Sequence, residues 1–156
     1  MALSAALPAW ASIALTLNFT GPATYTPGAA GASSYVLTLG NTGTTTETGA
    51  TVTTTFPATA TVTWACVAAG ASTACKTPTS GSGNLSARDP GNIAQNGTLT
   101  YTFSVSFPSS LATSPLNVNA QISSSDTTPV VTSGTVSSTR VAQSDLSAAF
   151  VSPPTS

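Results

Sequence analysis

Seven side chains in 156 residues carry charge: Lys76, Arg88 and Arg140 against Glu47, Asp89, Asp126 and Asp145, with no histidine. Acid–base catalysis needs a tuned proton acceptor, nucleophilic catalysis needs a base beside Ser or Cys, and glycoside hydrolysis needs two facing carboxyls. The four acids stand singly on turns and tails, so no such arrangement is spelled out and no enzymatic activity is expected. Arg88-Asp89 in "ARDPGN" is the one local charge cluster, and it reads as a solvated turn. Two cysteines without histidine cannot fill a tetrahedral metal site, and no Gly-rich stretch leads from a strand into a helix as a phosphate cradle would. Neither a metal nor a cofactor is expected.

The cysteines suit another chemistry. Cys66 and Cys75 are separated by the eight residues "VAAGASTA", in which Gly70 supplies a reversal. A disulfide across that hairpin contributes about 2.5 to 3 kcal/mol by loop entropy; two reduced, buried thiols are the alternative. An even count in a Ser/Thr-rich chain points to an oxidising compartment, and so to a secreted, extracellular or cell-surface protein. Three sequons, at Asn18, Asn84 and Asn96, are candidate glycosylation acceptors.

The elements that must position these groups are strands. In "TLTYTFSVSF" Leu99, Tyr101, Phe103, Val105 and Phe107 share one face, and Thr98, Thr100, Thr102, Ser104 and Ser106 the other. The same alternation sets Leu116, Val118, Ala120 and Ile122 against Asn117, Asn119, Gln121 and Ser123. It also turns Tyr35, Leu37 and Leu39 inward, groups Val52 with Thr54 and Phe56, and groups Val62 with Trp64 and Cys66. Pro27-Gly28, Asn41-Thr42-Gly43, Gly81 to Gly83, Asp89-Pro90-Gly91, Asn96-Gly97 and Asp126 to Pro129 punctuate the runs as turns. Nothing reads as a helix, since Pro8 stops the apolar run Ala2 to Leu7. Seven or more half-buried strands predict an Ig-like antiparallel β-sandwich with a core containing Leu37, Trp64, Tyr101, Phe103, Val105, Val118 and Ile122.

Composition narrows the partners. Charged residues are 4% of the chain, while thirty Thr and twenty-three Ser make up a third of it. Mean hydropathy of +0.24 and 40% hydrophobic residues are those of a folding chain, not a disordered one. Phosphate-neutralising or polybasic patches cannot be assembled, so neither nucleic acid nor a charged membrane surface is an expected partner. No apolar run is long enough to span a bilayer. Excess Thr fits β propensity on the solvent face; glycosylated or subunit-packed hydroxyl faces are the alternative.

The stretch from Gly31 to Leu85, followed by "NGTLTYTFSVSF", resembles the Ig-like conserved repeat of bacterial surface proteins called domain of unknown function eleven. Gly49 to Pro57, Val62 to Cys66, Cys75 and Gly97 to Thr102 carry the likeness, over about Ser12 to Val141. Thr54 or Thr55 stands where the family has an acid. The resemblance implies a surface-protein module and no activity.

The chain's end repeats its beginning. Shifted by 131 positions, Leu146, Phe150, Pro153 and Thr155 fall on Leu15, Phe19, Pro22 and Thr24, and "QSDLSAAF" resembles the family's opening strand. Residues 1–11 therefore read as an apolar extension, either a strand donor or a signal-peptide remnant. Residues 12–141 read as the sandwich, and 142–156 as the first strand of a next repeat. The expected function is a structural subunit of an extracellular filament, a homopolymer assembled head-to-tail by strand donation. Leu3, Leu7, Trp10, Leu15, Leu17, Phe19, Leu146, Ala148 and Phe150 are the donor candidates. The alternative is a spacer or glycan-binding module of a larger surface adhesin, contacting surface glycans or other cell-surface proteins. Sugar sites favour exposed rings, and only Tyr25 and Trp10 are expected outside the core.

Overall fold

The computed structural model describes residues 12–124 and 130–142, without the side chains of Val130 and Val131. The expectations for residues 1–11, the turn from Asp126 to Pro129, Asp145 and residues 143–156 lie outside these described residues.

The protein is an all-β sandwich. In chain order the strands are β1 (Leu15–Thr20), β2 (Thr24–Tyr25), β3 (Ser33–Asn41), β4 (Thr51–Thr55), β5 (Thr61–Ala69) and β6 (Ala74–Cys75). They continue with β7 (Ser80–Ser82), β8 (Gly91–Asn92), β9 (Thr98–Ser106), β10 (Leu116–Ser124) and β11 (Val130–Arg140). One sheet runs β1-β3-β9-β5-β7, the other β2-β11-β10-β4, and β6 pairs with β8 in a separate ribbon. All pairings are antiparallel except β11 with β2, where Thr139 faces Thr24 and Arg140 faces Tyr25.

Register follows the alternation. Tyr35 stands opposite Phe103, and Phe103 opposite Trp64, so one row of rings crosses three strands on the inner face. Phe56, just beyond β4 in the other sheet, meets that row with ring centroids 5.1 Å from Tyr35 and 5.3 Å from Phe103. All seven expected core residues are buried. Outward, β9 presents Thr100, Thr102 and Ser104, and β10 presents Asn117, Asn119 and Gln121, so both sheets show solvent uncharged hydroxyls and amides.

Two expectations need correction. Tyr25 is a core residue: it packs on Phe107 at 5.0 Å, and its hydroxyl donates to the Thr113 carbonyl. The two-residue β2 is too short to show a period. Leu15, Leu17 and Phe19 are not a surplus strand, because β1 pairs with β3 from Leu15↔Asn41 to Thr20↔Val36 in its own sheet. Leu3, Leu7, Trp10, Leu146, Ala148 and Phe150 fall outside the described residues.

Polar groups inside the fold hold loops. Buried Asn41 accepts at Oδ1 from the N–H groups of Ala14 (3.2 Å) and Gly43 (2.9 Å), and donates from Nδ2 to the carbonyls of Thr45 (2.7 Å) and Ile93 (3.0 Å). Glu47, fully buried, exchanges backbone hydrogen bonds with Ile93 and accepts from Gly49 N–H through Oε1; its Oε2 is buried without a partner.

Candidate functional site

Between β5 and β9 the chain leaves their shared ladder at Gly70, whose φ of +102° suits glycine, adds β7 to the outer edge of β5, and returns to the ladder at Gly97. This excursion builds a solvent-open cleft of about 550 Å³ beside Trp64. That size lies within the range of small-ligand sites, about 300–1,000 Å³.

Each wall has a local cause. β7 pairs with β5 so that Gly81 lies opposite Trp64, and a Cβ there would sit 2.6 Å from an indole carbon, so glycine makes room for the ring. Beyond β7 the chain runs beside β4. Asn84 Oδ1 accepts from Phe56 N–H (2.7 Å) while its Nδ2 donates to Phe56 carbonyl (3.0 Å), an amide standing in for a strand neighbour. Leu85 N–H donates to Thr54 Oγ1, and Arg88 exchanges backbone bonds with Val52. Buried Leu85 forms the floor.

The turn at Asp89-Pro90-Gly91 then folds back. Asp89 Oδ1 accepts from Gly91 N–H at 2.8 Å, an Asx turn. Cys75 stands opposite Gly91 in the β6–β8 ribbon, and Lys76 N–H donates to Pro90 carbonyl. Gly91 is required there: its φ is +105°, and a Cβ would come within 2.1 Å of Ala74 carbonyl. Next to this ribbon the expected disulfide exists, Cys66–Cys75, with Cα atoms 6.2 Å apart. It ties the ribbon to the inward-facing Cys66 of β5, and so holds Lys76 in place.

Three of the chain's charges therefore meet at one place. Lys76 Nζ lies 3.1 Å from Asp89 Oδ2. The Arg88 guanidinium stacks over Trp64 at 4.6 Å, and its Nη2 donates to the carbonyls of Lys76 and Pro78, while Nε is buried without a partner. The Asp89 carboxyl is held below the usual carboxylate range, first by the Gly91 N–H and then by Lys76. Burial raises Tyr101, with nearby Arg88 opposing.

Sequence reasoning named Arg88 and Asp89 as a solvated turn but did not join Lys76 or Trp64 to them. The available signal was Lys76 following Cys75: a disulfide to β5 brings the next residue back to the sheet. Of the sequons, Asn18 is exposed on β1 and Asn96 is exposed at a turn, whereas both amide atoms of Asn84 are bound to Phe56. Among the described residues no three His, Cys, Asp or Glu side chains group as metal ligands, and no helix is long and apolar enough to cross a membrane.

No protein-family model and no curated protein matches the chain. A solved structure titled "AvmM Catalyzes Macrocyclization in Alchivemycin A Biosynthesis" is similar, with a TM-score of 0.54 and 9% identity over 85% of this chain and 91% of that one. This finding corrects the reading as a filament subunit: the fold is shared with a macrocyclisation catalyst and is no mark of a fibre. At 9% identity the likeness shows the fold alone, and that catalyst's activity does not pass to this chain with it.

Proposed function

We propose that this protein is a ligand-binding module whose recognition site is the cleft between Trp64 and the Lys76–Asp89 pair. The observation that carries the reading is the convergence of Lys76, Arg88 and Asp89 on one cleft in a chain with only seven charged residues. Binding is favoured over catalysis because Asp89, the cleft's one carboxylate, is held ionised by the Gly91 N–H and Lys76, and such a group is a poor proton acceptor at neutral pH. The Cys66–Cys75 bond supports a place outside the reducing cytosol, and we take the protein to be secreted or surface-exposed. Kinship with the Ig-like surface repeat is part of the proposal, supported by its ordered motifs falling on β4, β5 and β9.

Titration of the isotope-labelled protein with a library of saccharides and hydroxy acids tests this reading. Amide shifts should concentrate at residues 76–89 and the Trp64 indole, and Arg88→Gln should weaken the response. Shifts scattered over both sheets, or none at millimolar ligand, would overturn it.

A further inference from the structure

We infer that the ligand of this cleft is a hydroxy acid of the acidic-saccharide class, its carboxylate seated on Lys76 in exchange for Asp89; this rests on the binding reading above. The first support is charge distribution. The chain's net charge is −1, yet Lys76, Arg88 and Asp89 sum to +1 at the cleft, leaving −2 for Arg140, Glu47, Asp126 and Asp145 together. The cleft therefore carries a net positive charge in a weakly negative chain, which favours an anionic ligand.

The second support is that the pair is exchangeable. Lys76 and Asp89 side chains are 59% and 46% exposed, and ion pairs in that setting contribute little, so handing Lys76 to another carboxylate costs little. Asp89 keeps its Gly91 N–H bond when Lys76 turns away. Arg88 is spent differently: tied to the Lys76 and Pro78 carbonyls and laid on Trp64, it positions the backbone that carries Lys76.

The third support is what else lines the cleft. Thr77, Ser82 and Ser86 also line it, and among the described residues no hydrogen bond uses their hydroxyls. They suit a ligand with hydroxyl groups beside its carboxylate. Trp64 is 7% exposed beneath Arg88, so ring stacking, the usual hold on a neutral sugar, is not offered.

Trigalacturonate and its methyl ester share one framework and differ in charge, and calorimetric titration of the full chain with each tests the inference. The acid should bind at least about fivefold more tightly than the ester, and added salt should weaken only the acid. Asp89→Asn keeps an acceptor for Gly91 N–H while freeing Lys76, so it should tighten acid binding about two- to fivefold, and Lys76→Gln should weaken it by at least as much. A purely structural ion pair would give losses in both variants. Equal binding of acid and ester, or weaker binding by Asp89→Asn, overturns the ligand class while the cleft reading stands. No binding of either, with no amide shift at residues 76–89, overturns both.

Discussion

Removing the disulfide separates the sandwich from its cleft. Cys66 and Cys75 lie nine positions apart, and releasing a loop of that size restores about 2.5 to 3 kcal/mol of unfolded-state entropy. Cys66 is also buried in the core, so Cys66→Ala with Cys75→Ala gives up about 1 kcal/mol more in burial. At about 4 °C per kcal/mol for a domain near this size, the melting temperature should fall by about 14 to 16 °C. The sandwich itself should persist, because β5 remains laddered to β9 from Thr61↔Ser106 to Ala69↔Thr98. Scanning calorimetry gives the first number. Hydrogen exchange gives the second result: the N–H groups of Lys76 and Gly91 should lose protection in the folded variant, while those of β3 and β9 keep theirs. A variant melting within about 3 °C of the parent, or protected as before at Lys76 and Gly91, would refute the claim that this bond holds the ribbon.

Asn41→Ala should cost about 3 kcal/mol in urea denaturation, since the Ala14 and Gly43 N–H groups lose their buried acceptor. Asn41→Asp should cost more, because an oxygen would then face the Thr45 and Ile93 carbonyls; an aspartate variant as stable as the parent would contradict this. Burial raises both Tyr35 and Tyr101 above 10.0, so their contribution to stability is complete below that pH and is lost as pH climbs through the folded values. Tyrosinate absorbance from this pair should therefore appear together with loss of β-sheet circular dichroism, and ionisation of both with the sheet signal intact would disprove it.

Strands β3, β5, β9 and β10 were legible because each carries a period of two over five or more residues, and Tyr35, Phe103, Val118 and Ile122 stand inward as that period requires, whereas β11 (Val130–Arg140), rich in Ser and Thr, was not read as a strand. The cleft was not legible. Its walls rest on β6, β7 and β8, two or three residues each, too short for alternation to register. Tyr25 was misplaced for the same reason, as β2 has two residues and pairs with a strand over a hundred positions away. Asp89-Pro90-Gly91 could be read as a turn, but what it faces depends on β6 lying opposite β8, a contact between segments without hydrophobic pattern. Lys76 meets Asp89 only through that contact.

Ala69 and Thr98 stand opposite each other on neighbouring strands, so residues 70–97 leave one rung of the ladder and return to the same rung. Of the residues lining the cleft, only Trp64 comes from outside that excursion. The proposed recognition site is thus carried on a cassette whose two ends meet, fastened to the frame by the Cys66–Cys75 bond and by the inward anchors Leu85 and Ile93. A lineage, or an engineer, can change the text between those fastenings without shifting the register of any strand in the frame. Grafts that keep Gly70, Gly81, Asn84, Gly91, the cysteines and both anchors should carry new specificities on an unaltered sandwich.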